Sequence, residues 1–479
     1  MIFQSFLSVA SPLVIGFLLV CVLWPGARPV RSDFLFKLCI SVGPGFGLFS
    51  CLYFLQLSLF GPSRKKFAAE VLAVTAALLA ALLYRVLRSK GQAAGGSPAA
   101  STPKGRLYKA IPVVFFVALA SALATFIFYS LKRPHGEWDA WAVYNMKARF
   151  LFRAGEHWRD VFTEPLSWAA LDYPILWPGA IAGCWTLIGT DTVIVPVVVA
   201  MLFTFATVGV VASSVARLRG QTQGLLAGLV LLCTPYFIMH GADQYSDIPV
   251  GFFYLTTLAL VTTRDQLWEK DNKLLLLAGL IAGLTAWTKN EGLLFVALVI
   301  AARLAVTFHK QGIKARVRQT VPFAAGVIPI LMVVFYFKYT IVAHNGYLAP
   351  LEESTLFSKI TDFSRYRLIA DHLIGIGLSF GRWTVSVIPL LAFYLLLLGV
   401  KTGAKQKKNA VASLVILGLM MAGFLVMYLI TSRDLTWLIV TSLERLISQL
   451  WPGLVFVFFL IVKTPEEALV AEDAMSAPA

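Results

Sequence analysis

The stretch Gly136-Glu137-Trp138-Asp139-Ala140-Trp141-Ala142-Val143-Tyr144 sets two carboxylates among aromatic side chains. A carboxylate partly withdrawn from water can take a proton from a hydroxyl, which makes Asp139 and Glu137 candidate general bases. Solvated acids beside an ordinary aromatic belt would read the same way. Further along, His240-Gly241-Ala242-Asp243-Gln244-Tyr245-Ser246-Asp247-Ile248-Pro249 puts Asp243 and Asp247 on one face if the segment is helical, with His240 one turn earlier. One His and two Asp make a weak metal set, so hydrogen bonding to a positive side chain or a substrate hydroxyl is the better reading. No motif demands a cofactor, and a divalent cation stays open.

Three more groups can handle negative charge. In Trp287-Thr288-Lys289-Asn290-Glu291-Gly292, Lys289 can offer its charge to a lipid-linked phosphate, or simply snorkel, with Glu291 beside it. Arg382 and Arg445 each stand just before an apolar stretch, where their guanidinium groups can fork onto a phosphate or anchor at the interface. The turn Asp172-Tyr173-Pro174 can fold its loop back over the bilayer, and Tyr173 in it is a further candidate substrate contact.

The elements that position these residues are membrane helices. Of 479 residues 58% are hydrophobic and 14% charged, with a mean hydropathy of +0.77; a soluble domain carries roughly a quarter charged residues. The fold class expected is an all-α polytopic membrane protein. Apolar segments near 2–24, 37–60, 67–87, 110–131, 192–216, 222–239, 247–263, 273–288, 291–308, 320–342, 383–400, 409–431 and 449–463 make about thirteen transmembrane helices. A large outer loop, 132–191, follows the fourth span and carries interfacial helices. Residues 1–88 form three leading helices, 89–109 a flexible cytoplasmic linker rich in Gly, Ala, Ser and Pro, 110–463 a core, and 464–479 a cytoplasmic tail.

Charge gives the chain a sidedness. The net charge of +16 fits basic cytoplasmic loops better than nucleic-acid binding. The clusters at 85–109, Arg217/Arg219, 310–318 and 401–408 share one side only if 174–189 does not cross the bilayer. That segment is short and Pro-broken, so it is expected to be interfacial or re-entrant, with Trp177 and Trp185 as anchors. Arg64-Lys65-Lys66 then falls on the outer side, against the rule. Most of the 25 acidic residues lie in or beside outer loops, which puts any chemistry there. The five cysteines show no paired spacing, and the first 23 residues read as a retained helix rather than a signal peptide.

Taken in order, Trp138-Asp139-Ala140-Trp141, Tyr144-Asn145-Met146-Lys147-Ala148, Asp172-Tyr173-Pro174, Asp243 to Pro249, Thr288-Lys289 to Gly292 and Glu444-Arg445 before Trp451-Pro452 resemble the GT-C superfamily of membrane glycosyltransferases. The likeness is to the protein mannosyltransferase and lipid A aminoarabinose transferase type, over roughly residues 110–460. It implies inverting transfer of a sugar from a polyprenyl-phosphate donor to a lipid, glycan or protein acceptor, on the outer face of a bacterial inner membrane. An acid of the first outer loop would be the base. The family pattern often has Asp-Glu where this chain has Asp139-Ala140, which leaves Glu137 as an alternative to Asp139. A transporter or flippase is the rival class; it would place ionisable groups near the midplane and often show repeated halves, and neither feature is evident.

Overall fold

The computed structural model describes residues 2–26, 31–88, 106–308, 313–342, 353–382 and 386–469. Residues 89–105 of the expected linker at 89–109, part of the basic stretch at 310–318 and the end of the tail lie outside the described residues, whereas 106–109 are not linker but the first turn of a helix, Arg106–Lys132.

The described chain is helical apart from one isolated bridge, Val400 to Val462. In chain order come α1 (Ile2–Leu23), α2 (Arg31–Phe60), α3 (Arg64–Arg88) and α4 (Arg106–Lys132). The loop then forms a π-helical turn (Ala140–Tyr144), α5 (Asn145–Arg153), two 3-10 segments (Gly155–Phe162 and Glu164–Ala169) and α6 (Leu176–Ile188). There follow α7 (Ile194–Arg219), α8 (Gln221–Leu232), α9 (Pro235–Ala242), α10 (Asp247–Leu267), α11 (Lys273–Thr288), α12 (Glu291–Phe308) and α13 (Ile313–Thr340). Last are α14 (Glu353–Thr361), α15 (Phe363–Ser379), α16 (Val387–Leu398), α17 (Ala404–Ile430) and α18 (Leu435–Ile461).

By length and composition, eight helices among the described residues can cross a membrane, or nine if the bent pair α8–α9 is one span. That is fewer than the thirteen that hydropathy alone suggests. One reason is length: α11 has 16 residues and α16 only 12, below the roughly 20 that a straight span needs. The α8–α9 bend of 63° falls at Pro235, which cannot donate to the preceding turn and pushes Thr234 out of helical geometry.

Two expected loops differ in form. Residues 432–448, the gap between the apolar segments 409–431 and 449–463 and so expected as an outer loop, are helical from Leu435 on and form the first half of α18, whose start is capped by the Asp434 carboxylate accepting from the Trp437 N–H at 2.6 Å. Segment 176–188 is a short helix, and Trp177 and Trp185 are buried inside the bundle rather than anchored at its surface. With 13 residues it is too short to cross, as the charge pattern requires.

Helix α2 runs through the centre, packed on α1, α6, α7 and α11. Its Ser50 hydroxyl donates to the Ile175 carbonyl and accepts from the Trp287 indole, both at 3.1 Å. Helices α11 and α13 make the closest crossing. A Cβ on Gly279 would lie 2.0 Å from the Phe323 carbonyl, and one on Gly326 would lie 2.1 Å from the Leu276 carbonyl, so only glycine lets these backbones meet.

The bundle has two chemically different ends. At one, Arg219 donates to the Val462 carbonyl and Glu467, Arg85 donates to the carbonyls closing α1, and Lys405 pairs with Glu269. At the other lie the ends of α4 and α11, the starts of α7, α10 and α12, and the 132–191 loop. Arg64 belongs to this second end, because it donates to the Leu187 carbonyl at 2.9 Å.

Candidate functional site

At the second end, five charged side chains from four elements form one continuous network. Asp247 is its centre. It opens α10, is 1% exposed, and is positioned because Pro249 in the first turn needs no N–H partner. One Asp247 oxygen accepts from Gln449 at 2.6 Å and from Lys289 at 3.0 Å. The other accepts from Arg445, through Nη2 at 3.0 Å and Nε at 3.2 Å. Lys289, in the tight corner between α11 and α12, also reaches Glu291 at 3.0 Å. Arg445 and Gln449 lie one turn apart on the same face of α18, so α18 supplies two donors to one carboxylate.

The network surfaces at Asp139. Its carboxylate accepts from Arg445 Nη2 at 2.6 Å, and its side chain is 27% exposed against 1% for Asp247. Asp139 sits just before the π turn, an irregularity that re-aims side chains and recurs at functional sites. Its backbone N–H donates to the Tyr245 hydroxyl at 3.3 Å, and Arg445 lies over the Tyr245 ring. Burial and the nearby Asp139 charge push the Tyr245 phenol up to about 12, so it remains a neutral donor or acceptor.

Backbone geometry locks the two loops together. Gly136 has φ +76°, and a Cβ there would lie 2.5 Å from the Asp243 carbonyl. The Glu137 N–H donates to that carbonyl at 3.2 Å. The Asn145 amide donates to Gln244 at 3.0 Å, and the Ser246 hydroxyl to the Tyr144 hydroxyl at 2.6 Å. The 132–191 loop and the 243–246 corner therefore move as one.

The other sequence candidates divide. His240 Nδ1 is 3.2 Å from Asp243, and its Nε2 is 3.5 Å from Asp247. Glu137 turns away to pair with Arg133. Arg382 lies over the Tyr236 ring and 3.8 Å from Glu444, at the exposed margin. Tyr173 lies under Lys289, 5.9 Å from ring centre to Nζ; burial raises its phenol to about 12. Among the described residues no group of three or more His, Cys, Asp or Glu is arranged as metal ligands.

Sequence reasoning passed over several members. Gln449 lies in a quoted segment, and its i, i+4 spacing from Arg445 is the signal that would have found it. Beside Tyr173 is a second cluster: Asp172 accepts from Asn290 at 2.6 Å, and Lys338 donates to Asn290 Oδ1 at 2.5 Å and to the Asp172 carbonyl at 2.6 Å. Lys147 completes it, donating to the Ala170 carbonyl at 2.5 Å. Burial without a contacting carboxylate brings the Lys147 ammonium down to about 7.

No curated protein and no solved structure matches the chain. Residues 172–337 match the model of a family described as dolichyl-phosphate-mannose-protein mannosyltransferase. The match contains Asp172, Tyr173, His240, Asp243, Asp247, Lys289 and Glu291, and stops short of Asp139 and Arg445 on either side. The chain thus carries several helices able to span a membrane and, over about a third of its length, is similar to the dolichyl-phosphate-mannose-protein mannosyltransferase family of membrane glycosyltransferases.

Proposed function

We propose that the chain transfers a sugar from a polyprenyl-phosphate donor to an acceptor hydroxyl, with inversion, and that Asp139 is the general base. The observation that carries this reading is the graded exposure of the charge network. Asp247 is buried and saturated with donors, whereas Asp139, at 27% against 18% for Glu291, is the most exposed carboxylate of the network. A base must touch its proton donor, so Asp139 is the fit member. Glu137 pairs with Arg133 while Asp139 pairs with Arg445 of the network, which favours Asp139 over it.

In this reading the acceptor hydroxyl loses its proton to Asp139 and its oxygen attacks the anomeric carbon. The bond from that carbon to the phosphate oxygen breaks, and the lipid phosphate leaves with the electron pair. Arg445, held to Asp139 and Asp247 together, is placed to meet the growing negative charge, with Lys289 behind it and Arg382 at the rim. Asp243, His240, Glu291 and Tyr173 brace the site or meet sugar hydroxyls. No step requires a metal, although acceptor, sugar and cation dependence are open to assay.

We place this end on the outer, periplasmic or extracellular, side, in keeping with the basic residues gathered at the opposite end. The proposed count is thirteen passes: α1 to α4, α7, the pair α8–α9, α10 to α13, α16, α17 and α18. The short members would cross where neighbours thicken the protein around them.

The test is Asp139→Asn in purified, reconstituted enzyme with a polyprenyl-phosphate sugar. Transfer should fall by about 10²–10⁴-fold, the span of a lost general base, with folding intact. Wild-type turnover in that variant refutes the assignment.

A further inference from the structure

On the 132–191 loop the structure has a cleft of about 600 Å³, lined by His135, Trp141, Arg149, Arg153, Asp191 and Val193. Val193 also lines a neighbouring apolar groove of about 220 Å³ between α4 and α7, walled by Phe126, Ile127, Val197 and Met201. The polar cleft sits where α4 ends and α7 begins, and the groove runs from there into both spans. A headgroup compartment thus lies over a chain compartment at the depth where a bilayer has the same order.

The charge of the upper compartment selects an occupant. Arg153 Nη2 is 2.5 Å and Arg149 Nε 3.6 Å from one oxygen of Asp191. Two guanidinium groups against one carboxylate leave one positive charge over. Arg149 Nη2 is 3.3 Å from His135 Nδ1, and its guanidinium lies over the Trp185 ring. Arg153 keeps 61% of its side chain exposed, so its remaining N–H groups are free to bond a phosphate oxygen. The groove is open to the membrane along α4, where Ile127 and Leu131 are exposed.

We propose that this composite pocket binds one anionic glycerophospholipid of the surrounding bilayer, its singly charged phosphodiester on Arg149 and Arg153 and one acyl chain between α4 and α7. The donor lipid is the weaker candidate. Asp139 and Trp141 are two residues apart on one turn and leave the backbone on nearly opposite sides; one meets Arg445 and the other lines this cleft. A sugar held here would have the loop helix between it and Asp139. The site instead fastens the 132–191 loop to the bilayer from behind.

Native mass spectrometry of the full chain in detergent, titrated with phosphatidylglycerol or phosphatidylcholine, tests this. The wild type should retain one tightly held phosphatidylglycerol and discriminate against phosphatidylcholine by at least tenfold. Arg149→Gln/Arg153→Gln should lose that lipid, and so should Val197→Trp, which fills the groove and keeps both arginines. Arg159→Gln, which removes a positive charge elsewhere on the loop, should keep it. Unchanged retention in both pocket variants, equal retention of the two lipids, or displacement of the held lipid by one equivalent of polyprenyl phosphate overturns the proposal. No sugar is present, so the outcome is separate from that of the Asp139→Asn transfer assay.

Discussion

Asp247→Asn removes the charge at the centre of the network while keeping side-chain size. Asp247 accepts from Arg445, Lys289 and Gln449 and is buried, so no water can replace it. The amide has one acceptor oxygen and turns an N–H toward a cation or the Gln449 amide. Breaking a buried ion pair from one side costs about 3–5 kcal/mol. Here each cation keeps one partner, Lys289 with Glu291 at 3.0 Å and Arg445 with Asp139 at 2.6 Å. That places the expected loss near the lower end, about 3 kcal/mol. The kinetic effect follows from the same geometry. With Asp247 gone, Arg445 is left with Asp139, which ties up the proposed base and draws the guanidinium away from the proposed phosphate position. A fall in transfer rate of about 10²-fold is expected, equivalent to about 2.7 kcal/mol in the barrier. Thermal unfolding in detergent and donor turnover, measured on one preparation, check both. A melting midpoint and a rate both within error of wild type would refute the claim that Asp247 holds the site together.

Lys147→Met should stabilise the fold near neutral pH. The buried ammonium has its pKa lowered to about 7, so the unfolded chain binds more protons between that value and the ordinary lysine range, and stability from this group rises with pH across that window. The gain from the substitution, on the order of a few kcal/mol, should therefore be largest at and below pH 7 and vanish toward pH 10 in melts taken along a pH series. Gly136→Ala should lower both expression and transfer, since the positive φ and the 2.5 Å approach to the Asp243 carbonyl admit no Cβ; proteolysis of the 132–191 loop should accelerate. Arg382→Gln should cost under about 1 kcal/mol in unfolding, because its pair with Glu444 is exposed, while raising KM for the donor if Arg382 meets the phosphate; an unchanged KM removes it from that role.

Much of the site was legible because membrane solvation forces it to be. Acids and bases at the mouths of apolar stretches are costly unless partnered, so Asp247, Lys289 and Arg445 could be singled out one by one. Which of them meet is set by helix packing, and a pairing such as Asp139 with Arg445 leaves no local mark. Gln449 was obscured by its position inside what reads as a span, and Lys147 by its place on an amphipathic segment. The span count was the least legible part. Hydropathy cannot see that the polar face of residues 435–449 belongs to one long helix, nor that Trp177 and Trp185 face protein rather than lipid. The bend at Pro235 was hidden too, since 222–239 reads as one apolar run.

Helix α18 has 27 residues, about 40 Å at 1.5 Å per residue, against a hydrocarbon layer of about 30 Å. One helix carries Arg445 and Gln449 around its middle and meets Arg219 through Val462 at its last end. Such a helix accommodates a thinner bilayer by leaning over, and leaning swings its two donors relative to the loop that bears Asp139. Bilayer thickness thereby becomes a mechanical input to the proposed reaction centre, and turnover in reconstituted vesicles is expected to depend on acyl-chain length.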